Sequence, residues 1–112
     1  MTDFSTLQCA ACQVDAPTAT DEALNTFKAQ SSDWVVLEIA GVKQLQRQFK
    51  FGNFVDALAF TQKIGELAEI ENHHPSILTE WGKVTVTWWT HKINGLHQND
   101  LIAATKTDLL YN

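Results

Sequence analysis

KQLQRQFKFGNFVDALAFTQKIGELAEIENHHP, residues 43–75, changes its hydrophobic period once, and that change decides the fold. In its first part Leu45, Phe49 and Phe51 stand two or four positions apart with Arg47 among them, while Gln44, Gln46, Gln48 and Lys50 fill the alternate places. A period of two is the signature of a half-buried strand. From Phe54 the apolar positions become Phe54, Ala57, Leu58, Ile64, Leu67 and Ala68, which is helical spacing. Asn53 can cap that helix, and Asp56, three residues on, sits where a capping-box acid would. The helix is expected to stop before His73-His74-Pro75, because proline disfavours helical geometry in the residue before it.

Working outward, TDEALNTFKAQ (20–30) reads as a short helix capped by Thr20, with Leu24 and Phe27 on one face. DWVVLEIAG (33–41) is a strand ending at Gly41 and is close enough to the next strand to form a hairpin with it. SILTEW (76–81) and KVTVTWWTH (83–91) read as two more strands around Gly82. In the second, Val84, Val86 and Trp88 share one face, and Thr85, Thr87, Trp89 and His91 share the other. Asn94-Gly95 marks a turn. A last helix is expected from about Gln98 to Leu110, with Leu101, Ile102 and Leu109 buried. The order α-β-β-α-β-β-α implies an α+β fold: a four-stranded antiparallel sheet with three helices packed on one face. His91 would point to the face the helices leave open. One domain spans residues 1–112, and 1–19 form a loop-like N-terminal segment.

Composition limits the function. The chain has a formal net charge of −5 and no Lys/Arg cluster, so direct nucleic-acid binding is not expected. No apolar run reaches the length of a membrane span, and the N-terminus lacks a basic segment followed by an apolar one. A cytoplasmic protein is the expectation. Cys9 and Cys12 form a single C-x-x-C, with neither a second pair nor a βαβ pattern around it, and read as two reduced thiols in a loop.

The chain has four histidines, two of them adjacent. On a strand or helix, neighbouring side chains diverge, so His73 and His74 can approach one small ligand only from a loop. His91, at the end of a later strand, could converge on them. Three readings fit these residues alone. Imidazoles can exchange protons near neutrality. His73, His74, His91 and a carboxylate could hold a metal, although adjacent histidines are not the usual ligand spacing. Or the histidines share no role.

A longer pattern favours the first reading. Glu69, three positions, His73-His74-Pro75, a short gap, Trp81, nine positions, His91, eight positions and Asp100 resembles the motif of the pterin-4a-carbinolamine dehydratase family. Asp33-Trp34, FKFGNFVDALAF (49–60) and THKINGLHQNDLIAA (90–104) are similar to the family as well. The resemblance implies dehydration of a 4a-hydroxytetrahydropterin with no metal and no cofactor. It implies that His73 and His91 are an acid/base pair, and that His74 orients the pterin and shares the proton work. Glu69 would bind an imidazole or the pterin's amino-pyrimidine edge, Pro75 would belong to the substrate-binding loop, and Trp34 and Trp81 could wall the ring, a buried core position being the favoured alternative for Trp34. Asp100, at the third position of the last helix, is expected to stabilise the helix start rather than to react. The family also implies a homodimer or homotetramer and a functional link to an aromatic amino-acid hydroxylase, and it includes non-catalytic members that bind or assemble other proteins. Two departures stand out: His97 replaces the Thr or Ser usual before the last helix, predicting a looser helix start, and Trp88-Trp89 replace smaller residues.

Overall fold

The computed structural model describes residues 20–90 and 95–111. The elements are α1 (Asp21–Gln30), β1 (Val35–Ile39), β2 (Val42–Lys50), α2 (Phe54–Glu71), β3 (Ser76–Glu80), β4 (Lys83–Trp88) and α3 (Gln98–Leu110). The expected order is thus observed. The N-terminal segment 1–19 with Cys9 and Cys12, and residues 91–94 with His91 and Asn94, lie outside the described residues.

The sheet is antiparallel throughout, in the order β1-β2-β4-β3. The chain therefore leaves the centre after β2, runs along α2 to the far edge at β3, and returns to the centre as β4. One face of the sheet carries Leu45, Phe49, Val84, Val86 and Trp88, all fully buried. They meet Ala57, Phe60, Ile64 and Ala68 of α2 and Leu101, Ile102 and Ala104 of α3. Helix α1 joins this layer by packing on α3, with Phe27 in the core.

Local chemistry sets the boundaries. The Thr20 hydroxyl accepts from the Ala23 backbone N–H, and the Asn53 side chain accepts from that of Asp56 at 2.7 Å. Helix α2 ends at Glu71, ahead of the histidines as expected, but an asparagine rather than the proline stops it. Asn72 takes a left-handed conformation (φ 52°), and the His73 backbone N–H turns back to the Ala68 carbonyl. Asparagine tolerates that conformation because its short polar side chain bonds locally. Pro75 then only forbids resumption of the helix.

One burial expectation is corrected. Leu109 is exposed, because Asp108 takes the inward position at that turn of α3. Of the apolar residues at helical spacing on α2, Leu58 and Phe54 are exposed, since the buried stripe runs through Ala57, Phe60, Ile64 and Ala68. Arg47, the charged residue on the inward face of β2, lays its guanidinium over the Phe49 ring and bonds Asp108 at 2.7 Å. An inward charge is tolerated there because it is both paired and stacked.

Candidate active site

The loop between α2 and β3 holds the two histidines, and the left-handed turn at Asn72 sends them in different directions. His73 turns inward and is 3% exposed. Its ring stacks on Trp88 of β4, with centroids 5.3 Å apart and planes 21° from parallel. Its Nε2 lies 2.6 Å from Oδ1 of Asp100, in the first turn of α3. His74 points outward at 58% exposure, its Nε2 2.5 Å from Oε2 of Glu69 in the last turn of α2. Each imidazole is thus paired with a carboxylate, one pair in the interior and one at the surface.

Asp100 is the node of the inner pair. It is 0% exposed, and its Oδ2 accepts from the Thr90 hydroxyl at 2.7 Å and the His97 backbone N–H at 2.9 Å. A carboxylate in the first turn of a helix also gains from the helix dipole. His97 caps α3: its Nδ1 accepts from the Asn99 backbone N–H at 3.0 Å. The looser helix start expected from a histidine there is therefore not found; side chain and backbone of His97 each tie one end of a reciprocal cap. A Glu71–Lys106 ion pair at 3.3 Å joins the end of α2 to α3. Beyond β4, Thr90 and Gly95 exchange backbone hydrogen bonds, which brings Thr90 against the start of α3.

The remaining expected site residues are dispersed. Pro75 is half-buried between the histidines and β3. Trp81 is 73% exposed in the β3–β4 turn, a full strand of about 17 Å from the histidine loop. Trp34 is 1% exposed, packs edge-on against Phe49, and donates its indole N–H to Asp108 at 2.9 Å. Asp108 lies eight residues along α3 from Asp100, about 12 Å. Of the two readings open for Trp34, a ring wall and a core tryptophan, its burial fits the core position. His91 lies outside the described residues.

Two features of the site went unread in the sequence. Thr90 has the parity of Val84, Val86 and Trp88, so it faces inward, and an inward hydroxyl needs a partner. That signal was available. The stacking of His73 on Trp88 had none, because it joins two segments through the tertiary fold.

Comparison with known proteins agrees with the motif. The family model described as "Pterin 4 alpha carbinolamine dehydratase" matches residues 17–110. A protein of Nitrosococcus oceani is 56% identical over 110 residues, covering 98% of this chain and 97% of its own. One of Syntrophotalea carbinolica is 54% identical, covering 98% of each. Both carry the name "Putative pterin-4-alpha-carbinolamine dehydratase". A crystal structure of a transcriptional coactivator/pterin dehydratase from Brucella melitensis superposes with a TM-score of 0.75 at 27% identity, covering 86% of this chain and all of that one.

Proposed function

Because the chain belongs to the pterin-4a-carbinolamine dehydratase family, we propose that it is a hydro-lyase converting a 4a-hydroxytetrahydropterin to the quinonoid dihydropterin and water. The observation that carries this reading is the histidine loop itself, with two imidazoles on carboxylate partners where a helix meets a strand. The reaction breaks the C4a–O bond and makes a C4a=N5 bond from the N5 lone pair. The departing hydroxyl gains one proton and N5 loses one, so the balance is neutral and the step asks for an acid and a base. In this reading His73 and His91 exchange those protons, as the family motif implies. His74 orients the pterin and shares the proton work, and Glu69 holds His74 or the pterin's amino-pyrimidine edge. The supplier would be an aromatic amino-acid hydroxylase, which releases such a carbinolamine at each turnover. The working unit would be a homodimer or homotetramer, supported by the exposed Val55, Leu58 and Ile70 on α2 and by the sheet edges at β1 and β3.

A second reading, a protein-binding role without catalysis, is favoured by the likeness to the Brucella melitensis protein, which is described as a transcriptional coactivator as well as a pterin dehydratase. One experiment separates the two. The carbinolamine is generated in situ with a phenylalanine hydroxylase, and its ultraviolet decay is followed with and without chelator-treated protein. Faster decay at catalytic protein concentration is expected. Unchanged decay with folded protein would favour the binding role.

A further inference from the structure

We infer that two copies of the chain pair through the β3 edge, and that Trp81 of the partner subunit, not the chain's own, closes the pterin site beside His74 and Pro75. This deepens the dehydratase reading and rests on it for the ligand, though not for the pairing.

The direction of hydrogen bonding across the sheet fixes which groups β3 leaves open. The Phe51 N–H bonds the Gly82 carbonyl at 2.9 Å, on the β4 side, while both backbone groups of Lys50 turn the other way, to the Tyr111 hydroxyl. Backbone groups alternate in direction along an antiparallel strand. The odd-numbered residues of β2 therefore bond β4. Through the register of Phe49 with Val84 and of Leu78 with Thr85, the even-numbered residues of β3 bond β4 as well. The N–H and C=O groups of Ile77 and Thr79 then face outward, because β3 is the last strand of the sheet. A second copy related by a two-fold axis through Leu78 meets them in antiparallel register, with Ile77 facing the partner's Thr79 and Thr79 the partner's Ile77. That register pairs the whole of Ser76–Glu80 with itself. Leu78, 56% exposed, comes to lie against the partner's Leu78 on the open face of the sheet. Glu80 falls opposite the partner's Ser76 and is already paired with Lys83 at 3.3 Å, so no like charges oppose one another.

The same register decides what reaches the histidine loop. Within one chain Trp81 and Pro75 stand at opposite ends of β3. Inverting the strand about Leu78 puts Trp81 of the partner subunit opposite Pro75, about 5.5 Å away between Cα atoms and one residue from His74. An indole that is 73% exposed in the single chain thereby gains a neighbour, and it offers an apolar plate to a flat bicyclic ligand. Pairing through the β1 edge gives no such juxtaposition, because β2 and β4 separate that edge from the histidine loop.

Two measurements test the inference, one of them blind to the reaction. Leu78→Cys, in a full chain that also carries Cys9→Ser and Cys12→Ser, should form a disulfide-linked dimer on mild oxidation. The self-pair at Leu78 is a non-hydrogen-bonded one, which brings Cα atoms to about 4.5 Å, within reach of a disulfide. Leu37→Cys, at the middle of β1, should not link in the same background. The second measurement is kinetic. Trp81→Ala should raise KM up to about 10-fold and change kcat far less. Mixed dimers of Trp81→Ala with His73→Ala, co-expressed and isolated through two affinity tags, then separate the two sources of the indole. The chain that keeps His73 has lost Trp81, but its partner keeps it. The expected result is a wild-type KM at about half the wild-type rate, since one of the two symmetric sites is intact. Should His73→Ala fail to fold, His74→Ala, which breaks only an exposed pair, takes its place. No linkage through Leu78→Cys, linkage through Leu37→Cys instead, an unchanged KM in Trp81→Ala, or a raised KM in the mixed dimer would each overturn the inference. Linkage at Leu78→Cys with no dehydration by the wild type would instead overturn the reaction, while the pairing that sets the partner's Trp81 beside His74 stands.

Discussion

His73 and His74 are neighbours in sequence and opposites in environment, and substitution should separate them. His73→Ala removes the partner of a buried carboxylate, which should cost about 1–3 kcal/mol of stability. In the dehydratase reading it should also slow the reaction by about 10²-fold or more. His74→Ala breaks only an exposed pair with Glu69, so stability should change by less than about 0.5 kcal/mol while the rate still falls. Urea unfolding and the decay assay on the same two proteins check both statements. Equal losses of stability would show that inward and outward placement is not what distinguishes the rings. The sequence revealed that two histidines share a loop, because adjacency and the proline are local. It could not reveal which ring turns inward, since that depends on the left-handed turn at Asn72 and on Trp88 and Asp100 from later elements.

At the scale of the element, α3 shows how one helix end serves both structure and site. Its cap is an imidazole nitrogen where a hydroxyl would do, and Asp100 returns the bond to the His97 backbone. His97→Ser and His97→Ala both lose the ring, so their difference isolates the cap. His97→Ser should be the more stable by about 1 kcal/mol in urea titration. Equal stability would mean that the Asn99 N–H finds another acceptor. The bounds of α1, α2 and α3 were legible because caps and the 3.6-residue period are local signals. The inward faces were less so. Along α3 the period allowed Leu109 to face inward, yet Asp108 does, because Trp34 and Arg47 supply donors that sequence spacing cannot show. On α2 helical spacing alone did not separate Leu58, which is exposed, from Ala57 and Phe60, which take the buried stripe.

For the whole molecule, the alternation of hairpins and helices was legible, but the placement of β4 between β2 and β3 was not, because strand neighbours are chosen by packing across the sheet. What the chain leaves outside is informative. Val55 and Leu58 lie exposed on the outer side of α2, so Val55→Glu combined with Leu58→Glu should lower the mass measured by sedimentation while the circular dichroism stays unchanged. A wild-type monomer would remove the homo-oligomer from the proposal. A half-buried carboxylate clamps the fold at the opposite end of α3. Asp108 accepts from Trp34, just ahead of β1, and from Arg47 of β2, so it ties the last helix to the first hairpin. Burial pushes its carboxyl above the ordinary value of 3.8, outweighing the Trp34 indole and the Arg47 guanidinium, which pull it down. A carboxyl raised in the folded state binds protons there that the unfolded chain does not, over the pH interval just above 3.8. Stability from this group therefore rises as pH falls through that interval and is reduced above it. Asp108→Asn cannot titrate, so the stability of wild type relative to Asp108→Asn should increase on acidification through the interval, in urea unfolding at matched pH values. Were the Arg47 ion pair the stronger influence, the same comparison would run the other way, with wild type losing ground as the carboxylate is protonated and the clamp between α3 and β2 released.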